Sequence, residues 1–305
     1  MSTTAHIAAV ATALVALAAP APALASYGWP VKPFHQQHPV RGYFGDPRIA
    51  GESHSIHFGI DVSAPNGTAV YATLDGVARP LPLHPNDTVI VYGAGSVAFE
   101  YWHIVPCIRS GERVTAYRTV IGHIAKPWAH VHFTEERGRT IVNPLRPGAL
   151  TPYRDTTKPT IGQITFERGG TPVGDRVSGS LDVVVQAWDT TPLPVPAPWA
   201  NKPVAPAFVE WRLVGRRGLQ SSSWRTAVDF RDALPAAPFS SIYAPWTRQN
   251  RPWNRGGSGR YRFYLAHGFD TRTLADGSYS VVVEVRDTAG NTRTASRTFL
   301  VHNDV

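Results

Sequence analysis

One short run of the sequence places a histidine and an aspartate where both can reach a metal ion. In Ile56-His57-Phe58-Gly59-Ile60-Asp61-Val62, apolar residues alternate with His57, Gly59 and Asp61. An extended chain turns alternate side chains to the same face, so His57 and Asp61 face one side and the apolar residues face the core. Imidazole and carboxylate are both zinc ligands, and we expect these two side chains to share one ion.

The spacing of His57 and Asp61 also predicts a bend between them. Four fully extended steps separate two Cα atoms by about 13 Å, whereas each zinc ligand atom must approach the ion to about 2 Å. Glycine has no Cβ and suits a bulge or a tight bend, which points to Gly59. A helix would also bring positions four apart together, but Gly59, Pro65 and the β-branched residues of this stretch favour a strand.

A second run, Ala129-His130-Val131-His132-Phe133, repeats this arrangement at a spacing of two. On a strand, His130 and His132 project from one face while the residues between them project into the core, which suits one metal ion and its water. His103 is a third candidate, because the β-branched and aromatic residues of Phe99 to Val105 predict a strand that holds its imidazole in place.

Glu135 and Glu136 follow the histidine pair directly. A carboxylate near a bound zinc ion can act as a general base. A polar strand end or turn is the simpler interpretation of these two glutamates, and it is the one that we adopt.

Composition limits the kinds of site and partner. The chain has one cysteine, Cys107, which excludes an intrachain disulfide and a Cys-rich zinc site, and we expect it to be a small buried apolar residue. The net charge of +8 predicts attraction to polyanions, which for an exported protein means anionic wall polymers or a membrane surface. No segment resembles a base-reading motif, so nucleic acid is not an expected partner.

The histidine-bearing runs must be held in place by folded parts of the chain. The sequence predicts an exported protein with two folded units. Residues 1–25 carry an apolar run and end Ala23-Leu24-Ala25, which is typical of a signal peptide and of a secreted or periplasmic protein of the cell envelope. Prolines interrupt the apolar run before it could span a bilayer, so we expect no stable membrane insertion after cleavage. Residues 27–150 have short β-branched runs bounded by turns, which predicts an all-β unit.

A polar stretch with prolines at residues 151–159 is the predicted linker to a second unit, residues 160–305. Alternating strands and the closing stretch from Asp276 to Val301 resemble bacterial immunoglobulin-like or fibronectin-type modules. The irregular regions 191–206 and 234–253 predict long insertions on this β-sandwich. Tryptophans of this unit suit a sugar-stacking surface or, as we expect, core and loop packing: Trp199, Trp211, Trp224, Trp246 and Trp253.

The motifs of residues 40–145, taken in order, resemble the lysostaphin and LytM-type zinc endopeptidases. That family has His-x-Gly-x-Asp, a Gly-x-x-Val-x-Ala segment, a Tyr-x-His-Leu-like strand and a His-x-His strand. The matching segments are His57 to Asp61, Gly67 to Ala72, Tyr101 to Ile104 and His130 to Phe133, and Asn143-Pro144-Leu145 is similar to the closing segment. Several ordered motifs coincide by chance far less often than one.

The resemblance implies a mainly β fold, with a LytM-like β-sheet peptidase domain of the duplicated hybrid motif type followed by the immunoglobulin-like β-sandwich with insertions. It implies one Zn2+ per chain, with His57, Asp61 and His132 as metal ligands and His103 and His130 as catalytic imidazoles. Three protein ligands leave a fourth position for water, as catalytic zinc sites require, and either free imidazole suits the role of base. The implied activity is hydrolysis of peptide bonds in peptidoglycan stem peptides or cross-bridges by a secreted metalloendopeptidase.

Two other interpretations stay open. A non-catalytic LytM-like module would bind peptidoglycan or activate other wall hydrolases, although such relatives usually lack ligand residues and all five positions are filled here. A structural zinc site would need four buried ligands, which two histidines and one carboxylate do not supply.

The chain departs from the family's Gly-Pro-His-Leu-His at His123 to His130, which leaves the substrate preference open. Also open are the oligomeric state and whether His35 or His38, in the segment Ser26 to Pro47, blocks the metal.

Overall fold

The computed structural model describes residues 26–83, 87–215, 221–253 and 257–303. The predicted signal peptide, residues 1–25, lies outside the described residues. The described chain is almost entirely β, as predicted, and its helices are short: α1 (Phe239–Ile242) and a 3-10 helix (Thr271–Thr273). Within the same ranges, no helix has the length and apolar character needed to cross a membrane.

The strands of the first part of the chain are β1 (Val40–Gly42), β2 (Pro47–Ala50), β3 (Ser53–Ile56), β4 (Ile60–Ser63), β5 (Ala69–Tyr71), β6 (Gly76–Leu81), β7 (Thr88–Tyr92), β8 (Val97–Trp102), β9 (Ile104–Pro106), β10 (Arg113–Val114), β11 (Val120–Ile124), β12 (His130–Arg137) and β13 (Thr140–Val142). The largest sheet has eight strands in the order β1-β4-β12-β8-β7-β6-β10, with β13 beside β12. A second sheet has the order β5-β11-β9, and β2 pairs with β3.

Register across the neighbours β4, β12 and β8 brings the two histidine-bearing runs together. Asp61 of β4 lies opposite His132 of β12, and His132 lies opposite Trp102 at the end of β8. Val131 and Phe133 of β12 are fully buried in the apolar core. The alternation read from the sequence therefore sets which side chains of β12 leave the core, because successive strand residues point to opposite faces.

The strands of the second part are β14 (Thr160–Arg168), β15 (Thr171–Val173), β16 (Arg176–Val177), β17 (Ser180–Trp188), β18 (Phe208–Gly215), β19 (Arg225–Asp229), β20 (Arg262–Asp270), β21 (Gly277–Arg286) and β22 (Thr292–Val301). They form two sheets, with the orders β15-β14-β17-β20 and β16-β22-β21-β18-β19. The sheets pack face to face as a β-sandwich, with the rings of Phe166 and Phe299 4.8 Å apart at their centroids. The regions 191–206 and 234–253 are the insertions, and the second contains α1.

The sandwich packs directly against the first group of sheets, and the two share one apolar core. The Tyr243 hydroxyl donates a hydrogen bond to the Gly45 carbonyl at 2.5 Å, and Asp46 Oδ1 accepts one from the Ala205 amide at 2.6 Å. Gly45 has a φ of 93°, and a Cβ there would overlap the Phe230 ring, so this contact requires glycine. Residues 151–159 contain no strand, and the division into two domains there stays a prediction.

Cys107 corrects one expectation, because its side chain is exposed and free rather than buried. It follows directly after β9, and the next residue, Ile108, enters the core in its place. Neighbouring residues of an extended chain point to opposite sides, so only one of the two can be buried.

Candidate metal centre

The chain bends between His57 and Asp61, as their spacing predicts. β3 ends at Ile56 and β4 begins at Ile60, which leaves His57, Phe58 and Gly59 outside both strands. A Cβ at Gly59 would lie 2.5 Å from the Phe133 carbonyl oxygen and 2.6 Å from Thr134 Oγ1. Gly59 therefore lets the backbone pass close to β12, and this approach carries His57 towards Asp61.

Three side-chain atoms converge at the bend. His57 Nε2 lies 2.7 Å from His132 Nδ1, and Asp61 Oδ1 lies 3.1 Å from the first atom and 3.2 Å from the second. All three side chains are buried. Two nitrogens and one oxygen around a single point form a donor set that suits zinc.

Hydrogen bonds behind the two imidazoles decide which nitrogens face this point. His57 Nδ1 lies 2.8 Å from the Tyr43 carbonyl oxygen, to which it can only donate, so Nε2 of the neutral ring carries the lone pair. His132 Nε2 lies 2.9 Å from Thr134 Oγ1, a hydroxyl able to accept its proton. Lone pairs on both inward nitrogens repel each other unless a cation lies between them, so the residues present fit a metal ion.

The charges around the centre favour the protonation states that metal ligands need. Burial, helped by the charge of Arg48, lowers the pKa of His57 to about 3. Burial also lowers the pKa of His132. For Asp61 burial acts in the opposite direction, but His57, His130 and Arg48 outweigh it and hold the pKa well below its ordinary value. At neutral pH His57 and His132 are therefore neutral, and Asp61, paired with Arg48, is charged.

His130 faces the same cavity from β12, with Nε2 3.4 Å from Asp61 Oδ1. Its other nitrogen, Nδ1, lies 2.7 Å from Arg41 Nη2 and 2.8 Å from the Trp128 carbonyl oxygen. Arg41 needs the lone pair of Nδ1, whereas the carbonyl needs its proton. The balance between these two neighbours therefore sets whether Nε2, the nitrogen facing the metal centre, holds a proton.

His103 corrects a second expectation, because it is not inside a strand. It lies between β8 and β9 with a φ of 65°, in the left-handed region that strands exclude. Its ring stacks on Trp128 with centroids 3.9 Å apart and lies 4.7 Å from the His130 ring. Burial, followed by the charge of His130, lowers its pKa to about 2, and the buried Nδ1 has no hydrogen-bond partner. Backbone strain of this kind is concentrated at functional sites.

The centre lies in a cleft of about 910 Å³ with walls from both parts of the chain. Residues 127–130 line it from the first part of the chain, and residues 196–199, 249–251 and 253 line it from the insertions. Asn250 Nδ2 donates to the Arg41 carbonyl at 3.0 Å, and the Arg41 guanidinium lies 4.2 Å from the centre of the Trp199 ring. The insertions thus hold Arg41 against the cleft.

Several site residues were not identified from the sequence: Arg41, Arg48, Trp128 and Asn250. Arg48 lies on β2 and reaches Asp61 Oδ2 at 2.8 Å because β2 and β3 pair as a hairpin. No local pattern marks this arginine, since the pairing depends on how the hairpin packs beside β4.

Other predicted candidates lie elsewhere. His38 Nε2 bonds to the Pro33 carbonyl oxygen at 3.0 Å and the His35 ring lies against Tyr117, so neither histidine is a blocking ligand.

Glu135 corrects the expectation of a strand end, because it is fully buried within β12. Arg146 Nη1 and Nη2 donate to its two oxygens at 2.6 and 2.7 Å, which gives it a structural partner.

Comparisons with known proteins give structural likeness only. No protein-family model and no curated protein matches the chain. Among solved structures, a SpoIIQ–SpoIIIAH pore-forming complex matches with a TM-score of 0.35 and 20% identity over 40% of this chain and 90% of that chain. A zinc-containing peptidase from Vibrio cholerae matches with a TM-score of 0.33 and 22% identity over 39% of each chain. LytU matches with a TM-score of 0.31 and 21% identity over 37% of this chain and 86% of that chain.

Proposed function

We propose that this protein is a secreted, zinc-dependent endopeptidase of the cell envelope that hydrolyses peptide bonds in peptidoglycan. The observation that carries the proposal is the convergence of His57 Nε2, Asp61 Oδ1 and His132 Nδ1 in a cleft that two further histidines also face. A site with three protein ligands and an open cleft suits catalysis better than a structural role. The resemblance of the ordered motifs to the lysostaphin and LytM-type endopeptidases supports the substrate class.

A zinc ion held by these three ligands would supply a Lewis acid and a nucleophilic water at neutral pH. The chain's own contribution to this is positioning. Tyr43 orients His57, Thr134 orients His132, and Arg48 holds the second oxygen of Asp61. Such partners of metal ligands fix the ring orientation and the tautomer.

His103 and His130 are the residues that would move protons. Among the described residues the buried Nδ1 of His103 has no hydrogen-bond partner, so one nitrogen of this imidazole is available to accept a proton. His130 presents Nε2 towards the metal ligands. When Arg41 donates a hydrogen bond to Nδ1, the proton of the neutral ring is on Nε2. Nε2 can then donate this proton to a developing oxyanion or to the leaving amine. We assign the acceptor role to His103 and the donor role to His130.

The cleft favours a peptide that carries carboxylates. Arg41, Arg48 and Arg251 all line it, and the chain as a whole has a net charge of +8. Stem peptides of peptidoglycan carry free carboxylates, and arginine binds carboxylates through paired hydrogen bonds. The same charge would retain the protein near an anionic wall.

One observation favours a second candidate, a non-catalytic module that binds wall peptide. Arg48 forms an ion pair with Asp61 and Arg41 bonds to His130, so two guanidinium groups lie beside the metal centre. A positive charge at this distance disfavours a second cation. In that case the basic cleft would bind a peptide carboxylate and no hydrolysis would follow.

Zinc content and wall hydrolysis, measured on the same protein samples, test the proposal. The chain from Ser26 onward is compared with His57→Ala, His132→Ala and His103→Ala, each shown to be folded by circular dichroism. We expect about one zinc per chain, lost in the first two variants and kept in His103→Ala, with hydrolysis lost in all three by about a hundredfold or more. A wild type that binds no zinc, or that leaves both D-alanyl-linked and glycine-bridged walls intact, would support the binding module instead.

A further inference from the structure

Three aspartates from distant parts of the chain meet where the two groups of sheets join. Asp155 precedes β14, Asp189 follows β17 directly and Asp287 follows β21 directly. One carboxylate oxygen from each lies within 4.8 Å of the others. The residues are 7%, 1% and 3% exposed, so the three acids meet away from solvent.

The hydrogen bonds to these carboxylates come from neutral groups. The Thr157 amide donates to Asp155 Oδ1 at 2.8 Å, and the Asn291 amide donates to Asp287 Oδ1 at 2.8 Å. Among the described residues, no lysine, arginine or histidine forms an ion pair with any of the three aspartates. Buried charges of one sign without a counter-charge are strongly destabilising, so something else must balance them.

A second observation points to the missing partner. Asp189 Oδ1 accepts a hydrogen bond from the Thr190 amide at 2.8 Å, but its buried Oδ2 has no partner. Asp189 and Asp287 also line a cavity of about 10 Å³, which is enough room for roughly one water molecule or ion. An orphaned carboxylate oxygen and a space of this size are what a bound cation requires.

We propose that Asp155, Asp189 and Asp287 bind a divalent hard cation, with calcium as the preferred ion. The three carboxylates offer only oxygen ligands, which hard cations such as calcium and magnesium favour. The zinc centre, in contrast, includes imidazole nitrogens. Calcium accepts irregular geometry, whereas magnesium needs a near-ideal octahedron and keeps more water than the cavity allows. Without a cation the acids must share protons, and burial together with the charges of Asp155 and Asp287 raises the pKa of Asp189 to about 8.

The cation would tie the stretch before β14 to the end of the sandwich. Asp155 belongs to this stretch, while the other two aspartates belong to the sandwich. The Tyr153 hydroxyl donates to Asp155 Oδ2 at 3.3 Å and lies 3.0 Å from the Tyr43 hydroxyl. Tyr43 also supplies the carbonyl that orients His57, so two tyrosines, Tyr153 and Tyr43, join the site to the metal centre.

Calcium titration of the full chain tests this proposal independently of the peptidase activity. The protein is stripped of metals, reloaded with one equivalent of zinc, and titrated with CaCl2 while the thermal midpoint and the binding heat are measured. We expect one calcium per chain and a rise in Tm of about 5 °C at a hundredfold excess over Kd. Terbium in place of calcium should show emission sensitised by Tyr153, because this tyrosine contacts Asp155.

Matched variants separate calcium binding from a merely structural role. Asp189→Asn and Asp287→Asn should lose the calcium-dependent rise in Tm. Asp189→Asn should be about as stable as the metal-free wild type at pH 7, because asparagine is neutral like the protonated Asp189 of the metal-free protein. Asp232→Asn, at an exposed aspartate, should keep the full response, and His57→Ala should bind calcium normally. No calcium response in the wild type, or a response that persists in both cluster variants, overturns the proposal and leaves the shared-proton state.

Discussion

Arg48 Nη2 donates a hydrogen bond to Asp61 Oδ2 at 2.8 Å, while the other oxygen of this carboxylate faces His57 and His132. The arginine therefore occupies one side of the aspartate and leaves Oδ1 for the metal centre. Because Arg48 lies on β2 and Asp61 on β4, the pairing of the β2–β3 hairpin has a direct effect on the geometry of a ligand.

Replacing Arg48 with methionine should weaken zinc binding by about 10- to 100-fold, because Asp61 loses the partner that orients it. Competition with a zinc chelator of known affinity measures this change. Arg48→Lys is the matched control, since it keeps the charge but loses the planar donor. Tighter zinc binding in Arg48→Met would contradict the prediction and show that the guanidinium competes with the ion, as the binding-module hypothesis requires.

Gly59→Ala should lower the free energy of unfolding by about 3 kcal/mol, because the added methyl group overlaps the Phe133 carbonyl oxygen and Thr134 Oγ1. The chain must then move away from β12, and zinc affinity should fall with stability. Chemical denaturation and zinc content measure the two effects. Gly174→Ala is the control, because a Cβ there meets no atom within 4 Å. Equal stability of the two variants would refute the role given to Gly59.

Trp253 and Trp246 offer a matched pair for the insertion wall of the cleft. Both lie in the insertion 234–253. Trp253 is 65% exposed and Trp246 is 67% exposed, but only Trp253 lines the cleft. Trp253→Ala should raise the KM for wall substrate about tenfold, because a large aromatic contact is lost, and Trp246→Ala should not change it. Both variants should unfold at the wild-type temperature. An unchanged KM in Trp253→Ala would exclude this wall from substrate binding.

Stability should depend on pH through Asp46, at the contact between the two groups of sheets. Burial is the largest influence and raises the pKa of Asp46 from 3.8 to about 6, against the opposing effects of Arg48 and two backbone amides. The folded protein thus holds this proton more tightly than the unfolded chain. The resulting stabilisation is full below pH 3.8 and is lost as the pH rises through about 6.

Asp46→Asn cannot titrate and isolates this effect. The free energy of unfolding of the wild type minus that of the variant should fall by up to about 3 kcal/mol between pH 4 and pH 7. Urea denaturation across this range measures the difference. For the exposed Asp232→Asn, the corresponding difference in the free energy of unfolding should not change with pH. If the difference for Asp46→Asn rises with pH instead, Asp46 is ionised and well paired in the folded protein.

The sequence alone determined the features that depend on local periodicity. Alternation placed His130 and His132 on one face of β12 and put Val131 and Phe133 in the core, as the structure has them. The spacing of His57 and Asp61 required a bend, which the structure has at Gly59. The mainly β character and the sandwich also followed from alternation and turn residues, because these patterns are repeated over neighbouring residues.

Only the tertiary structure decided what surrounds those residues. The sequence wrongly predicted a strand at His103, because its neighbours have strand character although its own backbone is left-handed. It also wrongly predicted that Cys107 is buried and that Glu135 lies at a polar strand end, because the burial of both residues depends on packing across sheets. Arg48 reaches Asp61 through a hairpin, and the three buried aspartates meet across the junction of the sheets. Gln249 bonds to Ile49 from 200 residues away. Contacts at such separations leave no periodic trace in a single sequence, because they arise only when whole sheets pack together.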